Sequence, residues 1–85
     1  MKLFEVFLKE GRDRSELLSA DALEQTGAQV FTQAEAEFVG LEGLPSDPEG
    51  RPRFFIAHQP ADERYIESRL ESNEAVAGFK LVQLG

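Results

Sequence analysis

The sequence lacks cysteine, which removes disulfides, thiolate metal sites and cysteine nucleophiles from consideration. Histidine is nearly absent too: a metal bound at His58 would need carboxylates such as Asp62 and Glu63 as its other ligands. Zinc and iron sites generally use more nitrogen or sulfur than that. We therefore predict no metal and no other cofactor.

Long apolar stretches are also missing. No run approaches the roughly 20 residues that cross a bilayer. The start of the chain, Met1 to Glu5, lacks the uncharged core of a signal peptide. We expect a cytoplasmic protein that does not contact a membrane.

Positive charge is scarce. Nine Lys and Arg face 16 Asp and Glu, so the formal net charge is -7, the wrong sign for neutralising nucleic-acid phosphates. The sequence therefore argues against direct nucleic-acid binding. With 41% hydrophobic residues the chain is too apolar for intrinsic disorder, and its 85 residues predict a single domain over 1–85.

The first half of the chain begins with a clear strand and helix pattern. Apolar residues alternate over Lys2 to Lys9, which predicts a strand. Asp13 and Glu16 have the spacing of a capping box, so a helix of about 12 residues should start near Arg14. Gly27 is placed to end it in a left-handed conformation.

Residues 28–41 fit two structures. Apolar and small residues alternate as in a strand, whereas Thr32 and Glu35 have the spacing of a second capping box. We favour a long strand, because Asp47-Pro48-Glu49-Gly50 reads as a type I turn within a hairpin loop over Gly43 to Pro52. The aromatic and β-branched run from Arg53 to His58 then supplies the partner strand.

The last third of the chain repeats the helix and strand pattern. Pro60 suits the first position of a helix that runs to about Ser72, and Val76 to Leu84 alternates as a closing strand. The element order, strand, helix, strand, strand, helix, strand, resembles the ferredoxin-like βαββαβ fold. That resemblance implies an α+β domain with a four-stranded antiparallel sheet, strand order 4-1-3-2, and two helices on one face.

Few residues suggest chemistry. No serine lies in a nucleophile-elbow sequence, and the glycines form no phosphate-binding motif, so we predict no catalytic residues. His58 or Tyr65 is conceivable as a general base if either lines a pocket. Arg51 and Arg53 could contact an anion, or simply offset the neighbouring acidic residues.

Acidic residues are segregated along the chain. Eight Asp and Glu, and no Lys or Arg, lie between Arg14 and Arg51. A surface of one sign attracts a partner of the other sign, although it also keeps a protein soluble. Our candidates for contact with a basic protein partner are carboxylates of the first helix and second strand: Glu16, Asp21, Glu24, Glu35 and Glu37.

The predicted strands are apolar on both faces, although two helices would cover only one. Leu3, Phe7 and Phe55 belong to the second face, and an exposed apolar patch usually marks an interface. We therefore predict a homodimer that associates through the sheet. The alternative is that the loop from Gly43 to Pro52 folds over this face.

Together these features predict a small acidic interaction or regulatory module without enzymatic activity. It would dock a basic partner and associate with itself. The alternatives are a small-molecule-binding protein or enzyme of the dimeric α+β barrel kind, a viral assembly protein, and a protease-inhibitor-like protein.

Overall fold

The computed structural model describes residues 2–47 and 49–83, which form an open, four-stranded antiparallel sheet with helices. The strands are β1 (Lys2–Leu8), β2 (Gln29–Phe31), β3 (Arg53–Ala57) and β4 (Val76–Gln83). Their spatial order is β2-β3-β1-β4. The predicted α+β class and antiparallel sheet are thus confirmed.

The helices are α1 (Ala20–Thr26), α2 (Gln33–Phe38) and α3 (Glu63–Glu71). Single 3-10 turns cover Arg14–Glu16 and Pro60–Asp62. The predicted second helix is confirmed as the turn at Pro60 followed by α3.

The predicted first helix is interrupted. Its capping box forms at Asp13, but only a 3-10 turn follows, and a new N-cap at Ser19 begins α1. The Ser19 hydroxyl accepts a hydrogen bond from the Ala22 backbone N–H, a local bond that competes with continuing the first turn. The predicted left-handed end at Gly27 is confirmed, with φ of 67°.

Residues 32–41 correct the prediction of a long strand. β2 ends at Phe31, and the capping box of Thr32 and Glu35 starts α2. The Glu35 N–H donates to Thr32 Oγ1 at 3.1 Å, and the Thr32 N–H donates to Glu35 Oε1 at 2.8 Å. These two backbone N–H groups would otherwise have no partner at the start of the helix. The two hydrogen bonds therefore favour the helix over continued strand pairing.

The connection from β2 to β3 is consequently not a simple hairpin loop. The two strands do pair antiparallel, with Val30 opposite Ile56, but α2 and an irregular segment lie between them. Pro48 in the predicted turn and Leu84 at the predicted end of β4 lie outside the described residues.

One face of the sheet carries the main core. Phe4, Val6 and Leu8 of β1 are buried there against α1 and α3, which contribute Ala22 and Ile66 among others. Each of these side chains is at most 6% exposed. The alternation predicted for β1 therefore places these three residues in the core as expected.

The second face is covered as well, and this corrects the prediction of an exposed sheet face. Leu3 and Phe55 are fully buried beneath Ala36 of α2, with Leu41 and Leu44 packed alongside. Neither Leu3 nor Phe55 is therefore available to a second copy of the chain. Phe7, the third predicted contact, is half-buried, with the Arg51 guanidinium 4.2 Å from its ring. The cover is α2 and the residues that follow it, because the segment predicted as strand folds back as a helix.

Candidate interaction surface

An apolar groove lies at the β2 edge of the sheet, between β2 and α2. It has a volume of about 450 Å³. Its apolar lining comes from two residues of β2 and three from α2 and its C-cap, Val30, Phe31, Ala34, Phe38 and Val39, and Glu35 completes it.

Phe38 and Val39 are unusually exposed for residues of their size. The Phe38 residue is 91% exposed and Val39 is 56% exposed. The cause is helix geometry: Ala36 is fully buried against the sheet, and a residue two positions further along is rotated by about 200°, to the opposite side. A phenylalanine so exposed contributes nothing to the core.

The start of α2 is fixed by electrostatics as well as by its cap. The guanidinium of Arg14 lies 2.9 Å from Glu35, which joins the 3-10 turn after β1 to α2. The hydrogen bond from the Thr32 N–H, followed by the Arg14 side chain, holds the pKa of the Glu35 carboxyl below its ordinary value. Glu35 therefore stays charged and helps orient the helix.

Of the five predicted partner-binding carboxylates, Glu35 and Glu16 have structural roles. Glu16 accepts a hydrogen bond from the Asp13 N–H and pairs with Arg12 at 2.8 Å, and these two contacts lower its pKa. Glu37 accepts from the Gln33 amide on the next turn of α2.

The other two, Asp21 and Glu24, are exposed on α1 and make no ion pair among residues 2–47 and 49–83. The structure thus places the predicted acidic residues on three separate elements. Of the two on α2, Glu35 lines the groove, whereas Glu37 lines a separate depression with Leu41 and Leu44.

A buried ion pair beneath α2 was not predicted from sequence. Glu5 of β1 and Arg53 of β3 are joined at 2.5 Å, with side chains only 2% and 6% exposed. Arg53 also donates to Gln33, so the pair ties the first turn of α2 to the sheet. The other Glu5 oxygen lies 3.4 Å from the Lys80 ammonium.

One feature of the sequence could have predicted this ion pair: Glu5 lies between Leu3 and Phe7 on an otherwise apolar strand face. A carboxylate at such a position requires a buried cation. Which cation it meets depends on the register of β1 against β3, where Glu5 lies opposite Phe55.

The predicted anion contacts, Arg51 and Arg53, line a polar cleft of about 360 Å³. Arg51 pairs with Asp47 and Glu49, each at 3.1 Å, and stacks over the Phe7 ring at 4.2 Å. The Asp47 hydrogen bonds raise the pKa of Arg51, and Arg51 in turn lowers that of Asp47. Both guanidinium groups are thus occupied by carboxylates of the chain itself, and anion contact stays a prediction.

His58 and Tyr65 occupy different surroundings. The imidazole of His58 is buried, stacked on Phe4 at 4.9 Å, with Nε2 3.6 Å from Glu63, and the residue borders a shallow depression. The Tyr65 hydroxyl accepts a hydrogen bond from Arg69 on its own helix. The two residues contribute to packing and to helix contacts.

The described ranges contain no helix long and apolar enough to span a bilayer. A cytoplasmic location stays a prediction. Comparison with known proteins finds no family model that matches the chain and no curated protein that matches it.

Proposed function

We propose that this domain is a protein-interaction module without catalytic activity, and that it docks a basic partner on the groove between β2 and α2. The observation that supports this most directly is the exposure of Phe38 beside the apolar groove. Large exposed apolar side chains grouped around a concavity are typical of interaction sites.

Charge indicates the chemistry of the partner. Glu35 lines the groove, and Glu37 directly precedes Phe38 in the chain. The groove is formed by a stretch that contains no Lys or Arg between Arg14 and Arg51. A partner with Lys or Arg flanking an apolar anchor would complement this rim, whereas an acidic partner would be repelled. Burying the Phe38 ring would contribute about 1.5–3 kcal/mol to binding.

We also propose that the fold is a ferredoxin-like βαββαβ domain with α2 as an added helix. The strand order read from the β4 edge, β4-β1-β3-β2, supports this assignment. The elements that connect β1 to β2 and β3 to β4 both pack on the main core face, which fits the two crossover helices. On this view α2 is the departure from the pattern and supplies the groove.

A peptide-display selection on the purified domain tests the function. We expect selected peptides to combine an apolar anchor with Lys or Arg, and to bind more weakly at high salt. Phe38→Ser should raise the Kd of a selected synthetic peptide at least roughly tenfold, the equivalent of about 1.4 kcal/mol. Glu37→Lys should also weaken the binding of the same peptide.

The matched control is Leu81→Ser, which removes an exposed apolar side chain at the opposite edge of the sheet. Peptide binding should not change in this variant. Selected peptides that lack basic residues, or that bind the Phe38→Ser variant as tightly as the unaltered domain, would refute the proposed site.

A further inference from the structure

The edge of the sheet away from the groove is formed by a long strand. β4 covers eight residues, Val76–Gln83, or about 27 Å at roughly 3.4 Å per residue. One side of it pairs with β1, and within the described ranges no strand pairs with its other side. Such an edge carries a row of backbone donors and acceptors that another strand can satisfy.

Side chains along β4 do little to block pairing. The strand contains no proline, and Lys80 is its only charged residue. Leu81 is 43% exposed, one of the three large apolar residues whose exposure stands out in the described part of the chain. By contrast β2, at the other edge, is only three residues long.

Charge favours a second copy of this chain as the occupant of the β4 edge. The protein carries a net charge of -7, so two copies repel wherever carboxylates meet. β4 has no carboxylate, and the Lys80 ammonium already lies 3.4 Å from Glu5. Two copies that meet along β4 therefore bring together a segment from which acidic side chains are absent.

We propose that β4 pairs antiparallel with β4 of a second copy, giving a continuous eight-stranded sheet with a two-fold axis at Phe79. An antiparallel edge is self-complementary about such an axis. Centring on Lys80 would place two ammonium groups directly opposite each other, which destabilises a strand pair. Centring on Phe79 places Lys80 opposite Gly78 and Leu81 opposite Ala77, and keeps nearly the whole strand paired.

This dimer replaces the face-to-face association predicted from sequence, because Leu3 and Phe55 are buried by α2. It lies at the opposite edge from the groove and does not depend on the proposed partner. Because the interface lacks ion pairs, added salt should screen the repulsion between the two acidic molecules and leave the dimer as strong or stronger.

Sedimentation over a wide protein concentration range, at low and high salt, tests the self-pairing. We expect a reversible monomer–dimer equilibrium that salt does not weaken, and Leu81→Lys should raise the dimer Kd at least roughly tenfold. The control Phe38→Ser, at the opposite edge, should leave this Kd unchanged. A monomer at every concentration, or a dimer lost in Phe38→Ser and retained in Leu81→Lys, would overturn the proposal.

Single cysteines test the register, since the chain has none of its own. A mixture of Ala77→Cys and Leu81→Cys chains should form disulfide-linked heterodimers on mild oxidation, because opposed residues in a strand pair lie within disulfide reach. Lys80→Cys chains should not crosslink to themselves. Efficient crosslinking of Lys80→Cys, with none in the mixture, would refute the two-fold axis at Phe79.

Discussion

Replacing Glu5 with methionine removes the carboxylate that neutralises a buried arginine. The Arg53 side chain is 6% exposed, and its other polar partner is the uncharged amide of Gln33. Breaking a buried ion pair in this way costs about 3–5 kcal/mol of unfolding free energy. The total for a domain is typically about 5–15 kcal/mol, so Glu5→Met should lower stability severely.

The reverse change should cost less. In Arg53→Met the Glu5 carboxylate keeps Lys80 at 3.4 Å, and the 64% exposed lysine can move closer. We expect a loss of about 1–3 kcal/mol, the usual penalty for leaving a buried polar group under-satisfied. The double variant Glu5→Met/Arg53→Met buries no unpaired charge, so its stability should lie within about 1 kcal/mol of the original.

Urea unfolding followed by circular dichroism measures all four proteins of this double-mutant cycle. The decisive quantity is the coupling free energy between the two residues, which should be at least about 2 kcal/mol. Additive losses in the double variant would show that the two side chains act independently. A Glu5→Met variant as stable as the original would refute the claim that Arg53 depends on this carboxylate.

Two further predictions concern the ends of the short helices. Gly27 ends α1 at φ of 67°, so Gly27→Ala should lower the unfolding free energy by about 1 kcal/mol. The control is Gly78→Ala in strand β4, where nothing crowds the added methyl group, and this variant should not lose stability. The pKa of Glu35 is lowered on folding, so its stabilising effect is present above its ordinary value of 4.5 and is lost as pH falls through the lower folded value. Urea unfolding at several pH values should therefore show a weaker acid dependence in Glu35→Gln, with Glu24→Gln as the charge-matched control; an unchanged dependence would contradict a role for Glu35.

The local sequence pattern was not sufficient to predict the secondary structure of the segment that forms α2. Its capping box at Thr32 and Glu35 was visible in the sequence, but the alternation of apolar and small residues fitted a strand equally well. A helix of six residues is not stable by itself in water. It forms because Ala36 packs on Leu3 and Phe55, two residues far away in the chain.

The candidate site, too, could be predicted from the sequence only in part. Charge segregation identified the acidic stretch, and one of its predicted contact residues, Glu35, does line the groove. The exposure of Phe38 could not be predicted from the sequence. In the expected strand, the Phe38 side chain would have pointed to the face of the sheet opposite to that of Glu37. The Glu5–Arg53 pair joins residues 48 positions apart and depends on strand register, which no local pattern encodes.

By itself the sequence determined strands β1 and β4, the capping boxes and the left-handed end at Gly27. These features depend on side-chain periodicity and on hydrogen bonds within a few residues. Only the tertiary structure decided which apolar face is covered, which carboxylate is buried and which hydrophobic residues reach solvent. Those outcomes depend on packing between distant segments. A short helix closed the sheet face that the strand pattern had left open, and in doing so exposed Phe38.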